Sequence, residues 1–161
     1  MVLAQSLFKV LKQRHPGSTL DVLAPRWTLP LLERMPEVDE AIALDIGHGE
    51  LRLGERLRLG RELRARGYDR AIVLPNSLKS AIVPYAAHAR VRTGFLGELR
   101  YGLLNDIRPL DKQKLPRTVD RFVALGSEPG AALPEIPAPR IRAAIDKARM
   151  ALARLGRSLP A

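Results

Sequence analysis

The chain has 161 residues, of which 27 are lysine or arginine and 17 are aspartate or glutamate, so its formal net charge at pH 7 is +10. This length is typical of one domain with its own core, and the lack of cysteine excludes disulfides and cysteine-ligated metal sites. The positive charge favours an anionic partner, whereas an aromatic content of 4% argues against a stacking surface for single-stranded nucleic acid.

Predicted strands and helices alternate along the chain. In chain order they are a helix over 1–14, a strand over 20–24, a helix over 28–34, a strand over 41–44, a helix over 51–67, a strand over 70–75, a helix over 76–89, a strand over 91–95 and a helix over 117–125. Continuous apolar strands of this kind are typical of a parallel sheet covered on both faces. We therefore predict an α/β fold with a Rossmann-like parallel sheet and helices on both faces, and an irregular segment over 96–116.

Composition also predicts the domain organisation. The alternating elements occupy residues 1–125, and residues 126–139 hold four prolines and two glycines, which is typical of a linker. Residues 140–156 form a basic helical pattern, so residues 140–161 are predicted to be a helical tail. Because a parallel α/β unit begins with a strand and a loop, a chain that opens on a helix suggests a domain without its first strand.

The first candidate site is the segment IVLPNSLKSA, residues 72–81, in which a buried strand passes into a helix. Free N–H groups at a helix start attract anions, and a nearby lysine adds a full charge. We predict that Asn76, Ser77, Lys79 and Ser80 hold a phosphate or sugar hydroxyls at the carboxyl edge of the sheet. The alternative is ordinary helix capping beside a solvated lysine.

The second candidate is the helix over 51–67, which carries six arginines and only two glutamates. Guanidinium groups left without a partner match phosphate oxygens well. Arg56, Arg61 and Arg64 are the predicted phosphate contacts, and a solvated helix face is the alternative. The three histidines lack the spacing of metal ligands, so no metal site is predicted.

Four stretches of the sequence are distinctive: AQSLFKVLKQRHP (4–16), LLERMPEVDEAIAL (31–44), RGYDRAIVLPNSLKSAIVPY (66–85) and RYGLLNDIRPLDK (100–112). Together they resemble the heptosyltransferases of glycosyltransferase family 9. The resemblance runs from Met1 to about Leu125 and implies the amino-terminal, acceptor-binding half of a two-domain GT-B enzyme. The sequence departs from the family at residues 88–90, where a Gly-Ile-Pro-like turn is expected and His-Ala-Arg stands instead.

The resemblance implies an inverting, metal-independent transfer of heptose from ADP-L-glycero-D-manno-heptose to the inner core of lipopolysaccharide, without a cofactor. It implies that the acceptor is bound by residues of the first helix and of the two motif segments, namely Gln5, Ser6, Asn76, Ser77, Lys79, Ser80, Arg100 and Tyr101. The family's general-base aspartate would precede Met1, and the domain that binds ADP-heptose would follow the tail. Catalytic residues within this chain therefore stay unknown.

The partners implied by the resemblance are a lipid A–Kdo–heptose acceptor, ADP-heptose and the anionic cytoplasmic face of the inner membrane, with no nucleic acid. The net charge of +10 is compatible with such an acidic glycolipid. The composition alone leaves an alternative open, a non-catalytic basic module that binds nucleic acid or anionic lipid.

Overall fold

The computed structural model describes residues 1–47 and 49–140. The described helices and strands, in chain order, are α1 (Ala4–Arg14), β1 (Asp21–Pro25), α2 (Leu29–Leu32), β2 (Glu40–Leu44), α3 (Leu53–Leu63), β3 (Arg70–Val73), α4 (Ile82–Ala86), β4 (Val91–Phe95), β5 (Asp106–Arg108) and α5 (Thr118–Leu125). The predicted helical tail, residues 140–161, lies outside the described residues except for residue 140. Within the described ranges, no helix has the length and apolar character that a bilayer crossing requires.

All described strand pairs are parallel, which confirms the predicted α/β class. β1 pairs with β2 along their whole length, from Asp21 opposite Glu40 to Pro25 opposite Leu44. β3 pairs with β4, and β4 pairs with β5. These pairs form two sheets, β1–β2 and β3–β4–β5, rather than the single sheet that was predicted. The crossover from β2 to β3 therefore joins strands that share no hydrogen-bonded ladder in the described part of the chain.

The chain divides into two compact units. Among the described residues, the first unit contains Met1–Asp45 and residues 137–140, and the second contains Ile46–Ile136. These boundaries differ from the predicted domain of 1–125 and linker of 126–139. The reason is that residues 137–140 pack against α1, where side chains of the helix hydrogen-bond to their backbone.

The core of each unit follows the apolar patterns of its elements. In the first unit, α1 buries apolar residues at helical spacing, and β1 and the segment 32–35 add to them; these core residues are Ala4, Leu7, Phe8, Val10, Val22, Ala24, Leu32 and Met35. In the second unit, Val73 of β3 packs with Ala81 and Leu104. The sheet of this unit carries the groove that is described below.

The structure changes two of the predicted elements. The helix expected over 76–89 consists of a 3₁₀ helix, Leu78–Ala81, followed by the short α4. Pro84 explains the break, because proline has no N–H to donate to the Ser80 carbonyl and its ring crowds that group. Strand β5 lies within the segment expected to be irregular, since three residues are too few for a recognisable strand pattern.

Candidate functional site

The candidate site is a groove at the carboxyl ends of β3, β4 and β5, within the second unit. Its volume is about 620 Å³, and its lining comes from the loops that follow the three strands: Asn76 and Ser77 after β3, Leu96, Gly97 and Glu98 after β4, and Pro109, Leu110 and Lys112 after β5. The loops converge because parallel strands end at the same edge of their sheet. In open α/β sheets this edge is where ligands bind.

The loops after β3 and β4 are in direct contact. A Cβ atom added at Gly97 would lie 2.5 Å from the carbonyl oxygen of Asn76, so only glycine allows this approach. The Leu78 N–H, at the start of the 3₁₀ helix, donates to Oε2 of Glu98 at 2.9 Å. This carboxylate occupies the position predicted for a phosphate at the helix start, and an anion can bind there only if Glu98 moves away.

Arg100 lies behind the groove and holds its loops together. Its side chain is 1% exposed, and the guanidinium donates to the Pro75 carbonyl at 2.6 Å and to the Phe95 carbonyl. Longer contacts of 3.4 and 3.5 Å reach Ser80 Oγ and Asn76 Oδ1. Burial lowers the pKa of this guanidinium, and the nearby Glu98 carboxylate opposes that shift. Arg100 was predicted to bind the acceptor, but its buried position makes it a support for the groove instead.

The other predicted residues of this region occupy different positions around the groove. Asn76 is exposed and Ser77 is half-buried, and both contribute to the lining; that they bind an acceptor stays a prediction. Ser80 Oγ lies 2.5 Å from the Ser77 carbonyl oxygen and 3.1 Å from the Pro75 carbonyl oxygen. Its hydroxyl proton is therefore donated to the backbone of its own loop and not to a ligand. Lys79 is half-buried on the 3₁₀ helix and Tyr101 is 63% exposed, and neither of them lines the groove.

The three predicted phosphate-binding arginines have different environments. Arg56 is buried, and its guanidinium donates to the carbonyl oxygens of Leu51 at 2.6 Å and Glu50 at 3.2 Å. Burial also lowers its pKa. This arrangement corrects the prediction for Arg56, because its donors bind backbone and have no access to a phosphate. Arg61 and Arg64 are exposed, and phosphate contact by these two residues stays a prediction.

Gln5 and Ser6 lie in the first unit, where both are fully buried. The Gln5 amide donates to the Arg140 carbonyl at 2.6 Å and accepts from the Arg140 N–H at 2.8 Å. Ser6 Oγ donates to the Pro137 carbonyl at 2.7 Å. The two side chains thus bind the returning segment 137–140 to α1, and an acceptor cannot reach them in this conformation, contrary to the prediction.

Six lining residues were not among the predicted site residues. Leu96, Gly97 and Glu98 directly follow a strand that was predicted with its observed end, so the rule that selected Asn76 would have selected them too. Pro109, Leu110 and Lys112 follow β5, a strand that was not predicted, and the one signal that covered them was the similar stretch 100–112.

Comparison with known proteins relates this groove to a family. The profile of glycosyltransferase family 9 (heptosyltransferase) matches residues 56–156, a range that includes every lining residue of the groove. Lipopolysaccharide heptosyltransferase 2 from Salmonella typhimurium strain LT2 is 54% identical over 141 residues, which are 86% of this chain and 40% of that relative. Lipopolysaccharide heptosyltransferase 2 from Escherichia coli K12 is 55% identical over 130 residues, 81% of this chain and 37% of that relative.

A solved structure gives the same relationship. The structure of ADP-heptose LPS heptosyltransferase II from E. coli matches with a TM-score of 0.81 and 42% sequence identity, covering 98% of this chain and 47% of that chain. The chain therefore spans about 40% of the length of the curated relatives that it matches. From the family profile and the identity of more than half of the aligned residues, the chain belongs to glycosyltransferase family 9, the heptosyltransferase family.

Proposed function

We propose that this chain is the acceptor-binding part of a glycosyltransferase that moves heptose from ADP-L-glycero-D-manno-heptose to the inner core of lipopolysaccharide. The observation that carries the proposal is the groove at the carboxyl edge of β3–β4–β5 in a member of glycosyltransferase family 9. The names of its relatives support the substrate class, since they are lipopolysaccharide heptosyltransferases. We propose no cofactor for this transfer, in which ADP-heptose is the donor substrate.

The chemistry of the groove suits a carbohydrate that carries acidic groups. Asn76 and Ser77 offer an amide and a hydroxyl, which can donate to and accept from sugar hydroxyls. Lys112 is exposed at the groove and provides a positive charge for a carboxylate of Kdo. Leu96 and Leu110 add apolar surface against which the ring carbons pack. Together these groups support binding of the proposed inner-core acceptor.

We also propose peripheral contact with the anionic cytoplasmic face of the inner membrane, where the lipid anchor of the acceptor lies. Leu99 is 80% exposed, and Leu96 and Tyr101 in the same loop are exposed as well. Basic residues near such a surface contribute about 1 kcal/mol each to the binding of anionic lipid. The net charge of +10 supports contact with negative headgroups.

The test of the acceptor proposal is calorimetric titration of the chain with deacylated inner-core oligosaccharide containing Kdo and one heptose. Lys112→Ala is expected to weaken binding about ten-fold, because it removes a charged hydrogen bond to the ligand. Lys114→Ala is the matched control, since this lysine is also exposed but does not line the groove. Equal effects of the two substitutions, or no binding by the unsubstituted chain, would contradict the proposal.

Membrane contact is tested separately by sedimentation with vesicles. The chain is expected to sediment with vesicles that contain anionic phospholipid and to remain in solution with purely zwitterionic vesicles. Leu99→Ser should reduce sedimentation without changing oligosaccharide affinity, because Leu99 does not line the groove. Equal sedimentation with both kinds of vesicle would argue against electrostatic contact with the membrane.

A further inference from the structure

Trp27 is the only tryptophan of the chain, and 82% of it is exposed. It lies on a 3₁₀ helix, Arg26–Thr28, which directly follows β1. Buried Thr28 holds this turn, since its hydroxyl donates to the Pro25 carbonyl at 2.8 Å. The indole is thus presented to solvent by an ordered turn at the carboxyl end of a parallel strand, and this large apolar surface gains little from the folding of its own unit.

Two charged side chains accompany the indole. Arg26 donates to both carboxylate oxygens of Asp45, from Nε and Nη2, at 2.5 Å each. Asp45 directly follows β2, and the last residues of β1 and β2 are register partners. The Arg26–Asp45 pair therefore spans the carboxyl ends of both strands of the first unit. Both side chains stay more than half exposed, so their outer faces remain open to a ligand.

We propose that Trp27, Arg26 and Asp45 form a binding subsite for a pyranose ring of the heptose-bearing acceptor. The C–H face of a pyranose packs against the flat indole, as apolar groups do on aromatic rings. The hydroxyls at the edge of the ring then donate to Asp45 and accept from Arg26. This subsite rests on the proposed function for the identity of the sugar, and all three of its residues belong to the first unit.

The charge balance of the three residues favours a sugar ring over an anion or a membrane. Arg26 and Asp45 neutralise each other in a bidentate pair, although the whole chain carries a charge of +10. A phosphate would have to compete with Asp45 for the guanidinium and would be repelled by the carboxylate. A membrane anchor gains from unpaired basic residues beside the aromatic ring, and here the adjacent arginine is paired. A neutral, hydroxyl-rich ring uses both charged groups without separating them.

The experiment follows tryptophan emission and heat together while the full chain is titrated with the deacylated inner-core oligosaccharide. Because Trp27 is the only tryptophan, its emission reports this position alone. We expect emission to shift to shorter wavelength and to saturate at the same concentration as the heat. Trp27→Ala should weaken the calorimetric affinity about five-fold, and Trp27→Phe should restore part of that loss. Since the indole is exposed, both variants should unfold at the temperature of the unsubstituted chain.

The possible outcomes separate this inference from the proposed function. Heat of binding with unchanged emission and a neutral Trp27→Ala variant would overturn the subsite and leave the acceptor proposal standing. No heat from the unsubstituted chain would overturn the acceptor proposal and the subsite with it. An emission shift with anionic vesicles, but not with oligosaccharide, would assign Trp27 to membrane contact and overturn the subsite. An emission shift with oligosaccharide whose midpoint concentration is unchanged by Lys112→Ala would support the subsite and count against the groove.

Discussion

A methyl group at Gly97 is expected to force apart two of the loops that line the groove. The added carbon would lie 2.5 Å from the Asn76 carbonyl oxygen and 3.2 Å from Asn76 Cβ. Real Cβ contacts essentially never fall below 3.0 Å, so the loops must separate by at least 0.5 Å, the difference between 3.0 and 2.5 Å. The obstacle is backbone and not the end of a flexible side chain. Overpacking of this kind costs about 1–3 kcal/mol, and we expect Gly97→Ala to lose about 2 kcal/mol of unfolding free energy.

Gly54→Ala is the matched control, because a Cβ added at Gly54 in α3 would meet nothing within 4 Å. Alanine is the better helix former, so this variant should be as stable as the parent or more stable by up to about 1 kcal/mol. Urea denaturation followed by far-UV circular dichroism measures both variants, and calorimetry measures their affinity for the oligosaccharide. The reasoning is refuted if Gly97→Ala retains parental stability and affinity, or if Gly54→Ala is destabilised to the same extent.

Three further substitutions test the packing and the charges of the second unit. Gly60→Ala should lose about 2 kcal/mol despite its gain in helix propensity, since its Cβ would lie 2.4 Å from Ala86 Cβ; urea denaturation measures this loss. Arg100→Lys should lose about 2 kcal/mol of unfolding free energy in the same assay. The reason is that one lysine ammonium cannot replace a guanidinium whose two Nη atoms donate to two different carbonyls. Asp106→Asn tests pH dependence: the Arg108 guanidinium lowers the pKa of the Asp106 carboxyl, so this pair stabilises the fold above about pH 4 and is lost as pH falls further. The variant should therefore be less stable at pH 7 and show a shallower loss of stability below pH 4 in acid titrations, and identical acid profiles would contradict this assignment.

Much of the fold could be predicted because its strands are marked by local patterns. The strand over 91–95 is observed with the predicted bounds, and the strand over 41–44 gains one residue. Asn76 and Ser77 could be placed at the carboxyl edge because they directly follow an apolar strand. The residue types around them predict capping and anion binding equally well, so the Glu98 carboxylate at the helix start could not be foreseen.

By itself, the sequence determined the α/β class, the parallel strands, the excess of positive charge and the family, since these depend on local periodicity, composition and residue identity. The tertiary structure decided which polar side chains face a ligand. Arg56 and Arg61 look alike along the chain, yet Arg56 is buried against backbone carbonyls and Arg61 is exposed. Gln5 and Ser6 are likewise enclosed by residues more than 130 positions away. Burial of a side chain depends on segments distant in sequence that fold over it. Local residue patterns therefore do not predict those contacts.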